Sequence, residues 1–201
     1  MFHRAIPVVS LIVLSALIGA PPAASADREP EKPSTPKNID QTPPLVPIPN
    51  ARVTKTGLLV GGQPSLDQLK AIAQAGYRTV ITLRTDMEQG DEGEEATVER
   101  LGMKFVSIPV AGPAGLTEDN ARRLAKALEA QDALPAVLHC KSGQRVSALL
   151  GLKAFVVDRV SAAAAIDLAK SLGLTKLEAA LRQRIAEICK ADKSRNCEGV
   201  Q

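Results

Sequence analysis

The sequence predicts an α/β domain in which a central, mostly parallel sheet is flanked by helices. Short apolar or β-branched segments alternate with segments of helical periodicity, a pattern typical of parallel sheets with crossover helices. The alternation extends over roughly 150 residues, which suffices for one hydrophobic core. One apolar segment leads directly into a glycine-containing loop that carries a cysteine and an arginine, so the sequence also carries information about function.

Four strands are predicted from short runs of apolar and β-branched residues. They cover residues 58–60, 78–83, 104–110 and 135–139. Six helices are predicted from apolar residues that recur on one face, and several begin at a Ser or Thr suited to the N-cap. They cover residues 66–76, 94–101, 117–131, 146–158, 161–172 and 175–190. The polar segment 84–93 and the Gly/Pro-rich segment 111–116 are predicted to be loops, and the last two helices are additional C-terminal elements.

Residues 1–26 are predicted to be a secretory signal peptide. Arg4 supplies the positive charge, residues 8–20 are apolar, and Ala24 and Ala26 fit the small-residue cleavage pattern. An uncleaved membrane anchor is the alternative, but an apolar segment of about 13 residues is too short to span a bilayer comfortably. No later segment is long and apolar enough to span. We therefore expect an exported protein, periplasmic or secreted, with no integral membrane span after cleavage.

The mature chain is predicted to have three parts. Residues 27–49 contain seven prolines among charged and small polar residues, so this segment is expected to be an extended or disordered linker that buries no core. The folded domain is placed at residues 50–190. Residues 191–201 are predicted to be a polar C-terminal tail.

Charge and aromatic content argue against nucleic acid as a partner. The formal net charge is +3, and cleavage of the signal peptide removes Arg4 and leaves a charge of +2. A nearly balanced surface provides no electrostatic footprint for a phosphate backbone. The chain has no tryptophan and one tyrosine, so aromatic rings on which bases could stack are scarce as well.

The three cysteines separate into one isolated residue and one close pair. An exported protein meets an oxidising compartment, in which Cys189 and Cys197 are near enough in sequence to form a disulfide and to leave Cys140 free. The alternative is that all three cysteines are unpaired.

The segment around Cys140 is typical of an anion-binding site. A predicted strand ends at His139, a short loop follows Cys140, and Arg145 stands at the start of the next helix. Loop N–H groups and a helix N-terminus favour the thiolate form of such a cysteine and can also hold a phosphate or another oxyanion. Arg145 adds a planar, always-charged fork suited to two oxygens. The loop residues between them are Lys141, Ser142, Gly143 and Gln144.

Four motifs occur in a familiar order. They are the Gly-Gly-Gln-Pro-Ser segment at 61–65, the strand that ends in Ile-Thr-Leu-Arg at 81–84, the Ile-Pro-Val segment at 108–110 and the loop at 139–146. Together, over residues 50–172, they resemble the DUF442 family, the beta-lactamase-hydrolase-like phosphatase domain. This family is a branch of the cysteine-dependent dual-specificity (tyrosine) phosphatase superfamily.

The resemblance implies a cysteine-phosphatase-like fold and a two-step hydrolysis of a phosphorylated protein or small molecule. Cys140 would attack phosphorus and form a phosphocysteine, Arg145 and the loop N–H groups would hold the phosphoryl oxygens, and water would then release phosphate. His139 is expected to support the loop by hydrogen bonding. No cofactor is expected, and His139, as the only histidine of the mature chain, cannot form a histidine-based metal cluster.

The loop departs from the general phosphatase signature. Four residues, instead of five, separate Cys140 from Arg145, although the DUF442 branch often has this shorter loop. Val146 occupies the position of the usual hydroxyl residue, for which Ser142 or Ser147 could substitute. The loop at 111–116, where the family's acid would be sought, has no carboxylate. The nearest candidates for a general acid, each also suited to a helix start or a loop, are Asp86, Glu118 and Asp119.

Two other functions fit the loop. A rhodanese-like sulfurtransferase also has four residues between its cysteine and its arginine and would carry a persulfide on Cys140, but its upstream Gly-His-Ile-type segment is missing here. A catalytically inactive anion-binding domain, in which Cys140 is a small buried residue, is the third interpretation. Packing alone explains poorly why Lys, Ser, Gly, Gln and Arg follow that cysteine, so a phosphatase is favoured.

Overall fold

The computed structural model describes residues 43–89 and 93–200, and the predicted signal peptide and residues 27–42 of the predicted linker lie outside this part. The described residues form a mixed α/β fold with a five-stranded sheet and seven α-helices. The strands are β1 (Arg52–Val53), β2 (Leu58–Gly61), β3 (Thr79–Thr82), β4 (Lys104–Ser107) and β5 (Ala136–His139). The helices are α1 (Leu66–Gln74), α2 (Asp86–Gln89), α3 (Glu94–Arg100), α4 (Glu118–Glu129), α5 (Gln144–Val156), α6 (Ala162–Ser171) and α7 (Glu178–Ala191). Within this part, no helix is long and apolar enough to cross a membrane.

The sheet is mostly parallel, as predicted, and β5 is its middle strand. The order is β1-β2-β5-β3-β4, with only the β1–β2 pair antiparallel among the described strands. The last residue of β5, His139, is in register with Gly61 of β2 and Thr82 of β3. The carboxyl ends of these three strands therefore meet at one edge, where the segment after each strand can contribute to a common site.

Alternate residues of β5 face two separate hydrophobic clusters. Val137 packs into a smaller cluster with Leu69 and Ile72 of α1 and Val98 of α3. Leu138, one position along the strand, packs into a larger cluster formed with α4, α5, α6 and α7. A strand that is buried on both faces requires a continuous apolar run, which is what the sequence of β5 provides.

Two predicted elements differ from the structure. The segment 84–93, predicted as a loop, contains the short helix α2, because its polar side chains make contacts that a local pattern does not reveal. The strand predicted at 104–110 ends at Ser107, although the Ile108 and Val110 N–H groups still donate to Thr82 and Leu83 carbonyls. The two-residue strand β1 was not predicted, since two residues carry no periodicity.

The folded domain begins before residue 50, so the boundary predicted for the linker at residue 49 is too late. Val46 and Ile48 are buried in the smaller cluster, at 5% and 4% exposure. The Tyr77 hydroxyl donates to the Pro44 carbonyl at 3.2 Å, and the Gln68 amide donates to the Pro47 carbonyl at 2.6 Å. The folded domain therefore begins by residue 44, because two apolar side chains outweigh the local disorder tendency of the prolines.

The segment predicted as a polar tail is part of the fold. Cys189 at the end of α7 forms a disulfide with Cys197, with an S–S distance of 2.02 Å. The Arg195 guanidinium donates to the carbonyls of Phe155 and Val156 at 2.9 and 3.0 Å. The Ala162 N–H donates to the Asn196 carbonyl at 2.9 Å. The boundary predicted at residue 190 is thus too early, since the polar residues bond to backbone groups of α5 and α6.

Candidate active site

Cys140 lies at the carboxyl edge of the sheet, directly after β5. Its side chain is 1% exposed, and it is the free cysteine among the described residues. The Gly143 N–H donates to its sulfur at 3.1 Å. The chain therefore folds back over the sulfur within three residues, so backbone donors and the thiol face the same small space.

The loop after Cys140 ends at a helix N-terminus. Gly143 adopts a φ of +86°, a left-handed conformation that costs glycine little, and α5 begins at Gln144. The positive end of the helix dipole therefore points toward the loop. Lys141 and Ser142 are exposed, so their side chains do not fill the interior of the loop.

The segment after β2 supports the loop from outside. Gly62 forms an isolated antiparallel bridge with Ser142, and the Gln63 N–H donates to the Lys141 carbonyl at 3.3 Å. The Asn50 amide donates to the Ser142 carbonyl at 3.2 Å. Both loop carbonyls are therefore bonded to neighbouring segments, whereas the Gly143 N–H is bonded to the Cys140 sulfur.

Arg145 reaches from the first turn of α5 toward the loops after β3 and β4. Its Nη1 donates to the carbonyl oxygens of Val110 at 3.0 Å and Leu83 at 3.3 Å. Its two terminal nitrogens also form a two-pronged ion pair with Glu88, at 2.6 and 2.7 Å. The guanidinium is thus held on three sides, and only 11% of the side chain is exposed.

The ion pair shifts the pKa of both partners. The hydrogen bonds from Arg145 lower the pKa of Glu88 from 4.5 to about 2, against the opposing effect of burial. The pKa of Arg145 is raised, first by its hydrogen bond to Glu88 and further by its interactions with Cys140. Opposite charge favours the ionised form of each group. Glu88 and Arg145 therefore both remain charged around neutral pH.

His139 lies against a buried carboxylate on α3. Its Nε2 is 3.0 Å from Glu94 Oε1, although the contact lacks hydrogen-bond alignment, and the two side chains are 0% and 6% exposed. Gln63 donates to the same Glu94 oxygen at 2.9 Å, and Arg84 donates to Gln63 at 2.9 Å. Arg84 also donates to the Glu88 carbonyl. A continuous chain of polar contacts thus connects the residue before Cys140 with the partner of Arg145.

Gln144 and Ser147 turn their side chains away from the loop interior. Ser147 is buried, and its hydroxyl lies 2.8 Å from the Leu172 carbonyl and 3.1 Å from the Gly143 carbonyl. A hydroxyl has one proton, which these carbonyls occupy, so Ser147 does not replace the missing hydroxyl after Arg145. The Gln144 amide bonds to the turn between α6 and α7.

The three carboxylates predicted as general acids are not joined to the loop by any described contact. Asp86 is the exposed first residue of α2, Asp119 is exposed in the first turn of α4, and Glu118 pairs with Arg122 at 3.3 Å. None of the hydrogen bonds described for residues 43–89 and 93–200 connects them to Cys140 or Arg145. Over the same residues, no cluster of three or more His, Cys, Asp and Glu side chains could hold a metal ion.

Sequence reasoning missed the two carboxylates that contact the predicted residues. Glu88 is 57 positions from Arg145, and Glu94 stands at the start of α3, where acidic residues are common for helix-dipole reasons alone. A weak signal existed: a buried arginine and a buried histidine at one sheet edge require acceptors, and 84–94 is the acidic segment that follows the neighbouring strand β3.

The mostly parallel sheet, with a cysteine after its middle strand and an arginine at the start of the next helix, is a fold that this chain shares with solved phosphatase structures. The fold is shared with the core catalytic domain of the PP-IP phosphatase SIW14 from S. cerevisiae, which is 14% identical with a TM-score of 0.53, over 73% of this chain and 95% of that one. It is also shared with a DUF442 protein of Shewanella putrefaciens CN-32, which is 23% identical with a TM-score of 0.52, over 70% and 93% of the two chains.

Within that class the particular family is clear. Residues 50–157 match the family described as beta-lactamase hydrolase-like protein, phosphatase-like domain, and the chain belongs to it. This confirms the resemblance to DUF442. A beta-lactamase hydrolase-like protein of Xylella fastidiosa strain Temecula1 is 32% identical over 107 residues, which are 51% of this chain. The matched region spans 24% of that relative, about a quarter of its length.

Proposed function

We propose that this protein is an exported cysteine-dependent phosphatase that hydrolyses phosphomonoesters through a phosphocysteine on Cys140. The observation that carries the proposal is that the buried Cys140 sulfur accepts a hydrogen bond from the Gly143 N–H at 3.1 Å in a short loop that leads to Arg145 in the first turn of α5. Membership of a phosphatase-like family supports phosphoryl transfer over the other chemistries that such a loop permits.

The first step joins sulfur to phosphorus. The Cys140 thiolate attacks the phosphoryl group, the bond between phosphorus and the ester oxygen breaks, and that oxygen leaves with a proton as an alcohol. Loop N–H groups and Arg145 stabilise the charge on the remaining oxygens, which is where most of the acceleration arises. A water molecule then attacks the phosphocysteine, so that inorganic phosphate leaves and the thiolate is restored.

The proposed donors of a proton to the leaving oxygen are Asp86, Glu118 and Asp119, although no described contact holds any of them at the loop. Glu88 is a poor donor, since its pairing with Arg145 keeps it ionised, with a pKa of about 2. A phosphatase without a well-placed acid works best on esters whose leaving group needs no proton. We therefore expect aryl phosphates with acidic phenols to be hydrolysed faster than alkyl phosphates.

Export is supported by two features. Residues 1–26 have the composition of a signal peptide, and the Cys189–Cys197 disulfide is of a kind that persists in oxidising compartments. The substrate would then be a phosphorylated protein or small molecule of the periplasm or the exterior.

The deciding experiment compares two reactions in the wild-type protein and in Cys140→Ser. A phosphatase is supported if the wild-type protein releases nitrophenol from para-nitrophenyl phosphate and Cys140→Ser does not. Trapping of the phosphocysteine by acid quench identifies the intermediate. Cyanide-dependent formation of thiocyanate from thiosulfate would instead identify a sulfurtransferase, which the four-residue spacing between Cys140 and Arg145 favours. If the wild-type protein has neither activity but still binds phosphate, it is an anion-binding domain. Asp67→Asn, at the exposed start of α1, is the control.

A further inference from the structure

The side chain of Gln144 forms the main polar link between the Cys140 loop and the turn at residues 172–177, which joins α6 to α7. Its Nε2 donates to the Gly173 carbonyl at 2.8 Å. Its Oε1 accepts from the N–H groups of Thr175 and Lys176 at 2.9 and 2.8 Å, and lies 3.2 Å from the Thr175 hydroxyl. An amide side chain used this fully is fixed in one orientation.

Two further contacts hold the same turn against the loop. Ser147 lies three residues after Gln144, on the same face of α5, and its hydroxyl is 2.8 Å from the Leu172 carbonyl. On the other side of the turn, the Arg52 guanidinium lies so close to Gly173 that a Cβ there would be 2.6 Å from Nη1. The turn is therefore held between β1 and the first turn of α5.

The side chain of Gln144 contacts the 172–177 turn, whereas its backbone lies at the Cys140 loop. Gln144 is the first residue of α5 and immediately precedes Arg145. Its N–H group therefore belongs to the helix N-terminus at the Cys140 loop. Gln144 therefore contacts the 172–177 turn through its side chain and precedes the arginine directly in the backbone.

We propose that Gln144 is a positioning residue that couples anion binding in the Cys140 loop to the 172–177 turn. The inference rests on the phosphate-holding role of the loop proposed above. Coupling is reciprocal, so a phosphate that orders the loop must also order the turn, and a loosened turn must weaken phosphate binding. The turn lies beyond residue 157, where the family match ends, so this link connects the family region to the helices that follow it.

The test measures amide hydrogen exchange of Thr175 and Lys176 in the full chain, with and without inorganic phosphate. In the wild-type protein phosphate should slow both amides by about threefold or more, whereas in Gln144→Met they should exchange faster and no longer respond. The dissociation constant of phosphate should rise about fivefold in the variant. A purely structural role for Gln144 would lower the melting temperature without abolishing the response of the two amides to phosphate.

Two further variants make the result decisive. Thr175→Val removes only the longest of the four contacts and should bind phosphate within about twofold of the wild type. Gln144→Glu retains an oxygen for the Thr175 and Lys176 N–H groups but loses the donor to the Gly173 carbonyl, so both amides should exchange more slowly than in Gln144→Met and faster than in the wild type. This intermediate variant provides a readout even if Gln144→Met folds poorly. Absence of a phosphate response in the wild-type protein, or an unchanged response in Gln144→Met, would overturn the coupling. Failure to hydrolyse aryl phosphates while that response is intact would overturn only the proposed activity.

Discussion

Arg145 and Glu88 form a two-pronged ion pair, in which the two guanidinium nitrogens lie 2.6 and 2.7 Å from the two carboxylate oxygens. The contact connects the first turn of α5 with the short helix α2, which follows β3. Two parallel hydrogen bonds fix the orientation of the guanidinium as well as its distance from the carboxylate. The orientation of the arginine that would hold a phosphate is therefore determined by a residue from a segment with no catalytic signature.

Replacement of Glu88 by Gln should lower kcat/KM for an aryl phosphate by about tenfold, because the guanidinium loses the partner that aims it. The free energy of unfolding should fall by about 1 kcal/mol, a modest value since a third of the Glu88 side chain is exposed. Steady-state kinetics and urea unfolding measure the two effects. Glu95→Gln, on the exposed face of α3, is the matched control, and equal kinetics in the two variants would contradict a positioning role for Glu88.

The same pair predicts how stability depends on acid. The folded-state pKa of Glu88 is about 2 against an ordinary 4.5, so its stabilising effect is complete above pH 4.5 and is lost as the pH falls toward 2. The stability difference between the wild type and Glu88→Gln should therefore shrink across that window. Asp192, whose pKa is lowered from 3.8 to about 2 by Ser194 and Arg195, contributes in the same direction. The comparison is best made in an Asp192→Asn background, where a constant difference down to pH 2 would contradict the assignment.

The order of the elements was predictable, whereas the contacts around the site were not. Apolar runs such as 136–138 identify strands because burial on both faces favours apolar residues. Glu88 and Glu94 carried only a weak signal because their partners, Arg145 and His139, are distant in the chain and come near only when β3 and β5 pair. A polar segment has the same composition whether its side chains face water or a buried cation.

Ile48 distinguishes a folded segment from a linker. It is 4% exposed and lies in the same cluster as Leu69 of α1, so Ile48→Ala should cost about 2–4 kcal/mol of unfolding free energy. Leu45, three residues earlier, is 58% exposed, and Leu45→Ala should cost less than about 0.5 kcal/mol. Urea unfolding of the pair provides the comparison. Similar values for both variants would indicate that the segment before residue 50 contributes no core.

The Cys189–Cys197 disulfide should stabilise the last helix through the short loop it closes. A separation of 8 residues corresponds to a loss of about 2.5 kcal/mol when both cysteines are replaced by Ser, on the chain-entropy account. Local unfolding should be confined to the end of α7 and the segment that carries Arg195. Thermal unfolding of the double variant and of the wild type, each with and without reductant, tests this. The reductant should lower the melting temperature of the wild type alone, and an equal decrease in both would contradict the assignment.

Gly62 is the position where crowding should affect the loop directly. A Cβ there would lie 2.9 Å from the Lys141 carbonyl oxygen and 3.0 Å from Pro49 Cβ, and the Gly62 N–H already donates to Pro49 at 2.6 Å. A backbone oxygen on one side and the rigid ring of Pro49 on the other leave no flexible side chain to yield. Gly62→Ala should therefore push the Lys141 carbonyl outward and turn the adjacent loop N–H groups from their directions.

The expected result for Gly62→Ala is a loss of about 1–3 kcal/mol in stability together with a decrease in kcat/KM for the folded protein. Gly199→Ala separates the two effects. Its Cβ would lie 2.7 Å from Ala163 Cβ, and its φ of +82° adds strain, so stability should fall, but the site is remote from Cys140 and kcat/KM should persist. Because both variants are crowded and only one touches the loop, a decrease in kcat/KM that is equal in the two would trace to instability and not to the geometry of the Cys140 loop.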